Sequence, residues 1–289
     1  LYMWISMVFI VGLFIVLFIK GYKNTQHVVI NHVSIDASRP SEDSMGDPLR
    51  ILHLSDIHLE RISITPNHLY DRLKDQSIDL IALTGDFLDK KRSIPKLIPY
   101  LAILNKLNPT YGIYAVFGNH DYVLKQPNFL QLKRVLEENG CKTMQNENHV
   151  IMVNGKILNI IGIDDFSTNR SDIDKSYEGL KEGLNLVLTH DPNLVLEMKD
   201  FPYDYLLSGH FHGGQIHWPK PYHLATMGKL VRMHMIKGLH KHYGKFFYIN
   251  EGLGQSGVNV RFGSRPEITI HQLKLSSALI KTKKATEAI

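Results

Sequence analysis

The chain carries a single cysteine, Cys141, and that scarcity excludes two architectures at once. No intrachain disulfide can form, and no zinc site can be built from thiolates. The lack of disulfides leaves the compartment open, and a lone cysteine of this kind reads as a small buried apolar residue. Also missing is any Lys/Arg-rich block interleaved with aromatics, so nothing points to nucleic acid as a partner. No H-E-x-x-H occurs, which disfavours a zinc peptidase. No internal repeat or low-complexity segment interrupts the 289 residues.

Charge is missing from one stretch in particular. Residues 1–19 contain no charged side chain. As a helix they would be roughly 28 Å long, close to the hydrocarbon thickness of a bilayer. Lys20, Tyr22 and Lys23 follow as interfacial anchors. The stretch predicts a single-pass transmembrane signal-anchor over residues 1–20. A cleaved signal peptide fits less well, because no small-x-small site follows and no charged n-region is visible. A buried core helix also fits less well, because the run is apolar on every face. By the positive-inside rule, the two lysines after the helix would put the rest of the chain in the cytoplasm.

What remains is roughly 260 residues, enough for one large α/β domain with a sizeable core. Apolar residues make up 44% and charged residues 21%, as in an ordinary folded protein. The formal charge of +5 favours an anionic substrate or an anionic membrane surface without choosing between them. Residues 28–35 alternate as a first strand, and residues 36–48 read as a polar loop. Strands near 50–54, 78–84 and 113–117 then alternate with helices near 66–76, 94–107 and 128–138. That repeat predicts βαβ units and a buried, largely parallel sheet. Residues 150–153 and 157–163, joined by Asn154-Gly155, read as a hairpin. Short strands follow at 186–188 and 205–207. Residues 246–249 and 267–275 are expected to close the domain as a hairpin-like pair. The expected division is an anchor at 1–20, a first strand and linker at 21–48, a catalytic domain at 49–275 and a basic tail at 276–289.

Histidine is the informative count. There are sixteen, and several fall beside Asp, Asn and Gly in short clusters. Five clusters each sit just past a predicted strand: Asp56-Ile57-His58, Gly85-Asp86, Gly118-Asn119-His120-Asp121, His190-Asp191 and Gly209-His210-Phe211-His212-Gly213. In an open α/β sheet the carboxyl ends of the strands share one rim, so these clusters would converge. Carboxylates, imidazoles and an amide oxygen are ligands for divalent first-row metals. Two such ions about 4 Å apart can clamp a phosphate and generate hydroxide near neutral pH.

The order D-x-H, G-D-x-x-D, G-N-H-D, a lone H, and G-H-x-H resembles the calcineurin-like metallophosphoesterase superfamily, over residues 50–270. The resemblance implies a four-layer αββα sandwich and two divalent ions, Mn, Zn or Fe. One ion would be held by Asp56, His58 and His212, and the other by Asn119, His190 and His210. Asp86 would bridge them, and a two-metal-activated hydroxide would attack phosphorus in line. His120 would protonate the leaving oxygen or stabilise its charge, and Asp121 would orient His120. Asp89, the second Asp of G-D-x-x-D, would support a ligand without being one.

Three further stretches, together with the apolar helix, resemble a narrower bacterial group, the YkuE/YaeI-type membrane phosphodiesterases. They are Leu52-His53-Leu54-Ser55-Asp56-Ile57-His58-Leu59, Gly209 through Gln215-Ile216, and Gly252-Leu253-Gly254 with Arg265-Pro266-Glu267-Ile268. That group implies an extracytoplasmic catalytic domain and a phospholipid or envelope substrate such as a lipid-linked sugar diphosphate. Glu251 stands where many members carry a basic residue.

Other residues are read as structural. His217, His223, His234, His240 and His242 are expected at the surface or site rim. Arg261 and Arg265 could contact phosphate or pair locally, for example with Glu267. Asp164 and Asp165 are expected in a loop. The expected activity is hydrolysis of a phosphomono- or diester at a membrane. A non-enzymatic adaptor on the same fold typically loses ligands, and none is lost here. A nuclease of the superfamily is opposed by the apolar helix and the weak basic patterning.

Overall fold

The structure is a computed structural model that describes residues 2–36, 47–217, 220–221 and 224–275. The expected basic tail, most of the polar loop at 36–48 and His223 lie outside the described residues.

Helix α1 (Tyr2–Asn24) runs four residues past the expected anchor and exposes its apolar side chains all round. At 23 residues it is long and apolar enough to cross a membrane. Among the described residues, its last turn is where it meets the rest of the molecule. The Phe262 ring lies where a Cβ on Gly21 would be, so glycine is what permits the contact. The Arg261 N–H donates to Gly21 O, and Asn24 Nδ2 donates back to Arg261 O.

The domain is built from two six-stranded sheets packed face to face. The first sheet runs β1 (Val29–Asp36), β12 (Glu267–Lys274), β2 (Leu49–Leu54), β3 (Leu80–Thr84), β4 (Ile113–Val116), β5 (Cys141–Thr143). Strands β2 to β4 are parallel, as their βαβ spacing predicts, and β5, a strand not expected from the sequence, continues the parallel order with Cys141 buried on it. The second sheet runs β10 (Gly238–His242), β11 (Lys245–Ile249), β9 (Tyr205–Ser208), β8 (Leu184–Leu188), β7 (Lys156–Gly162), β6 (Glu147–Val153). Its β6–β7 hairpin turns on Asn154 and Gly155, both at positive φ, which a tight two-residue turn requires.

One expectation fails. Residues 246–249 and 267–275 do not pair with each other. Strand β11 lies beside β9 in one sheet, and β12 inserts between β1 and β2 in the other. Residues 250–266 cross from one sheet to the other, and Tyr248 donates to Glu267 across that gap at 2.6 Å.

Side chains alternate along the strands and so serve two cores. Leu52, Ile81 and Ala115 face α2 (Pro66–Leu73), α3 (Ile94–Lys106) and α4 (Asn128–Glu138). Ile51, Leu80 and Tyr114 instead meet Ile160, Leu186 and Tyr205 between the sheets. The outer face of the second sheet carries a third core, covered by a 3-10 turn (Pro192–Leu196) and two short helices, α5 (Ile173–Ser176) and α6 (Lys229–Arg232). Helices and sheets therefore form four layers, the last of them thin.

A polar chain threads the inter-sheet core. His53 bonds Thr84 Oγ1 at 2.9 Å and faces His271 at 3.4 Å, and His271 bonds the Tyr205 hydroxyl at 2.9 Å. Burial lowers the pKa of both rings, that of His53 to about 3, so both are neutral at ordinary pH.

Candidate metal centre

All five clusters leave the carboxyl ends of strands on one edge of the sandwich. Asp56 and His58 follow β2, Asp86 and Asp89 follow β3, and Asn119 and His120 follow β4. His190 follows β8, and His210 and His212 follow β9. The first sheet thus supplies three clusters and the second sheet two.

The chain turns sharply at these exits, and the clustered residues do the turning themselves. Asp56 (φ 50°), His58 (41°), Asp86 (56°), His210 (74°) and His212 (49°) all adopt left-handed backbone. Non-glycine residues seldom hold it, and it concentrates at functional sites. Two of the neighbouring glycines provide room. A Cβ on Gly118 would overlap the Asp86 carboxylate, and one on Gly209 would overlap Ser55 and the Asp56 carboxylate.

Three groups of donor atoms result among the described residues, each within 4.8 Å: Asp56, His58 and His212; Asp86, His190 and His210; and, sharing His58 with the first, His58, Asp89 and His120. In the first, the Nε2 atoms of His58 and His212 face each other at 3.2 Å, with Asp56 Oδ1 3.3 Å from His212. In the second, His190 Nε2 faces His210 Nδ1 at 3.2 Å. Asp86 Oδ2 stands between the triplets, 3.5 Å from His58 Nε2 and 3.2 Å from His190 Nε2. Asn119 Oδ1 is a buried atom with no hydrogen-bond partner. Facing imidazole nitrogens beside buried carboxylates and an orphaned amide oxygen fit divalent cations.

The surroundings fix these rings. His190 Nδ1 donates to Thr84 O at 2.7 Å, which leaves Nε2 facing the centre. Ser264 Oγ donates to His212 O. Burial alone would raise the Asp86 pKa, but the charges of His190, His58 and His120 hold it well below the usual carboxylate range. Burial alone would lower that of His190, and Asp86 lifts it well above its ordinary value. Burial and neighbouring positive groups lower both His210 and His212, so their lone pairs stay available at neutral pH.

The expected pairing of His120 with Asp121 is not formed. A 3-10 turn (Asp121–Val123) sends the Asp121 side chain back under the loops. There Oδ2 accepts the backbone N–H groups of Asp86 and Gly118, both at 2.9 Å, and Oδ1 accepts that of Phe87 at 2.8 Å. The partner of His120 is Asp89, with Nδ1 and Oδ1 2.8 Å apart. Asp89 Oδ1 also lies 3.5 Å from His58 Nδ1. Burial opposes charge on His120, yet the Asp89 carboxylate 2.8 Å away and the field of Asp86 push it up to about 9. Glu60 holds the Asp89 loop by accepting the N–H groups of Asp89 and Lys90, a role with no sequence signal.

Other flagged residues lie elsewhere. Arg261 is fully buried and donates to the carbonyls of Glu251, Gly252, Gly254 and Arg265 and to Ser264 Oγ, so it is committed to backbone rather than aimed at phosphate. Glu251 pairs with Lys237 at 3.2 Å. His217 packs beside Gly214 and Gly263, and His240 bonds Lys237 O. Asp164 accepts the Tyr122 hydroxyl, and Asp165 caps Ser167 and Thr168.

Residues 49–214 match the family model described as calcineurin-like phosphoesterase. The chain belongs to that family. It is 64% identical to the metallophosphoesterase YkoQ of Bacillus subtilis over 256 residues, covering 88% of this chain and 93% of that protein. It is 28% identical to the metallophosphoesterase YkuE of the same organism over 234 residues, covering 79% and 80%. It is also 28% identical to the UDP-2,3-diacylglucosamine pyrophosphatase LpxG of Chlamydia muridarum over 280 residues, covering 77% and 82%. This phosphoesterase is therefore a hydrolase of phosphate-ester bonds, in a family that uses divalent metals.

Proposed function

We propose that this phosphoesterase hydrolyses a phosphate ester of a membrane or envelope lipid at a two-metal centre. The observation that carries the reading is the pair of donor triplets with Asp86 between them. In this reading Asp56, His58 and His212 hold one ion, and Asn119, His190 and His210 hold the other. Bound there, the ions would supply Lewis-acid stabilisation of the phosphoryl oxygens and a nucleophile drawn from water. His120, kept protonated by Asp89, hands its proton to the leaving oxygen. Asp121 ties the loops carrying Asp86 and Asn119 together without touching the chemistry.

The lipid part rests on α1, long and apolar enough to cross a membrane, and on the likeness to LpxG, whose name specifies a diacylated sugar nucleotide. The resemblance to the YkuE-type group supports a single-pass anchor with the catalytic domain outside, against the rule read from Lys20 and Lys23. Protease protection on intact cells decides the side, since an outward domain is digested without lysis.

The central test is a pair of substitutions read by metal analysis and by hydrolysis of an aryl phosphodiester with added manganese. His120→Ala keeps its metal and loses about 10²–10⁴-fold in turnover. Asp86→Ala loses metal as well as activity. Full metal content and full activity in Asp86→Ala would sink the bridging arrangement.

A further inference from the structure

A separate pocket lies where α1 joins the domain, and it shares no residue with the metal centre. It holds about 430 Å³ and is lined by Gln26, His27, Val28, Ser63, His68 and Arg72. None of the six is acidic.

Two walls form it. One is the chain just past α1, residues 26–28. The other is the approach to α2 and the outer face of that helix. Leu69 and Leu73 of α2 are buried in the core, which leaves His68 and Arg72, four residues apart, together on the outside. The floor is fixed by hydroxyls. Thr25 is fully buried, and its Oγ1 donates to Tyr22 O at 2.7 Å and lies 2.7 Å from Ser63 Oγ. Asn259 Nδ2 in turn donates to Ser63 Oγ at 3.3 Å. Above that floor the side chains of Gln26, His27, His68 and Arg72 have no hydrogen-bond or ion-pair partner among the described residues. A guanidinium, two imidazoles and an amide thus offer N–H donors to one space, with no carboxylate lining it. That composition suits a phosphate.

The height of the pocket along α1 indicates where the phosphate comes from. Exposed apolar side chains on α1 run to Ile19, and Lys20 and Lys23 follow. Residues 20–24 rise about 6 Å along the helix axis, close to the depth of the interfacial layer on one side of a bilayer. With α1 embedded, Gln26 and His27 emerge at the level of the lipid headgroups.

We propose that this pocket binds the phosphate of an anionic phospholipid in the leaflet where α1 ends, as a bound lipid and not as a substrate. Arg72 grips two phosphate oxygens, and His27 and His68 donate to the others. The proposal goes beyond the reaction at the metal centre and rests only on the anchor reading of α1.

The test places the full chain in phosphatidylcholine vesicles with a trace of spin-labelled lipid, and electron paramagnetic resonance reads the lipid immobilised on the protein. Phosphatidylglycerol is expected to be held about tenfold more tightly than phosphatidylcholine. Arg72→Gln removes that preference, and Arg72→Lys, which keeps the charge without the planar fork, does not restore it. His68→Ala weakens it about threefold or more. All three variants keep wild-type hydrolysis of an aryl phosphodiester, which shows an intact fold and centre. If Arg72→Lys matches the wild type and Lys20→Gln costs as much as Arg72→Gln, diffuse surface charge attracts the lipid and the pocket assignment is wrong. Loss of the preference in Asp86→Ala puts the lipid at the metal centre and overturns the proposal, as does its release by millimolar inorganic phosphate, which marks a site for a soluble anion. A chain that enters the vesicles without any preference overturns this inference alone, whereas a chain that does not enter them overturns the anchor reading as well.

Discussion

Asp89 touches two rings at once, His120 at 2.8 Å and His58 at 3.5 Å, and so joins the proposed proton donor to one of the donor-atom triplets. Replacing it with Asn removes both the negative charge and the strong acceptor that raise the pKa of His120. A general acid acts only while protonated, so activity falls as pH rises through that pKa. Asp89→Asn is therefore expected to move the alkaline limb of the kcat/KM profile to lower pH and to reduce activity about 10–100-fold. An alkaline limb that does not move would remove Asp89 from this role. The family resemblance put a carboxylate beside His120 and named Asp121, whereas the carboxylate in contact with it is that of Asp89. Asp121 is the chain neighbour of His120, yet side-chain direction is set by the 3-10 turn, which points Asp121 at four backbone N–H groups instead. The donor residues were legible because chemistry restricts them to a few types. Glu60, by contrast, works by accepting two backbone N–H groups, and many residues do that.

The segment between β11 and β12 binds several elements together through one guanidinium. Arg261 gathers four carbonyls, while its own backbone engages α1. Gly252 and Gly254, two of the residues it holds, lie so close to Asp56, Ile57 and His58 that a Cβ on either would collide with them. Arg261→Met leaves these buried acceptors unpaired, so it is expected to cost about 3 kcal/mol or more in urea unfolding. It should also lower metal content in the folded fraction. Arg261→Lys restores the charge but not the planar fork and should fall between. Equal metal content in all three proteins would separate this segment from the centre. Sequence alone could not choose between phosphate and carbonyl oxygen as the acceptor for Arg261, since both suit a guanidinium. Nor could it find the partner of β12, because alternation marks a strand and one buried face but does not say which neighbour it pairs with.

At the scale of the whole molecule, the two sheets enclose His53 and His271 as neutral rings. Their folded pKa values lie below the unfolded value near 6.5, so the unfolded chain binds more protons between the two. The contribution to stability is full above about pH 6.5 and is lost as pH falls below it, at about 1.4 kcal/mol per pH unit for each ring. His53→Leu should reduce the slope of unfolding free energy between pH 6 and pH 4.5 by about that amount. An unchanged slope would mean that His53 is already protonated in the fold. The sequence implied a parallel sheet from the repeat over residues 50–138, and β2 to β4 form it, with the short strand β5 adding to its edge after the last of those helices. That a second sheet lies against it came only from the family resemblance, because apolar strands report burial on both faces without saying what covers them. For α1, an anchor predicts that the chain resists extraction by alkaline carbonate and is released by detergent, while a cleaved signal leaves it in the carbonate supernatant.

The bonds from Gly21 and Asn24 to Arg261 join that helix, within a single turn, to the segment whose Gly252 and Gly254 pack against Asp56 and His58. With α1 in a bilayer, the candidate centre is held at a fixed height above one leaflet and has little freedom to tumble. Encounter then becomes a search in two dimensions. Turnover follows the mole fraction of substrate in the surface rather than its bulk concentration, and adding inert lipid slows the enzyme even though no substrate has been removed.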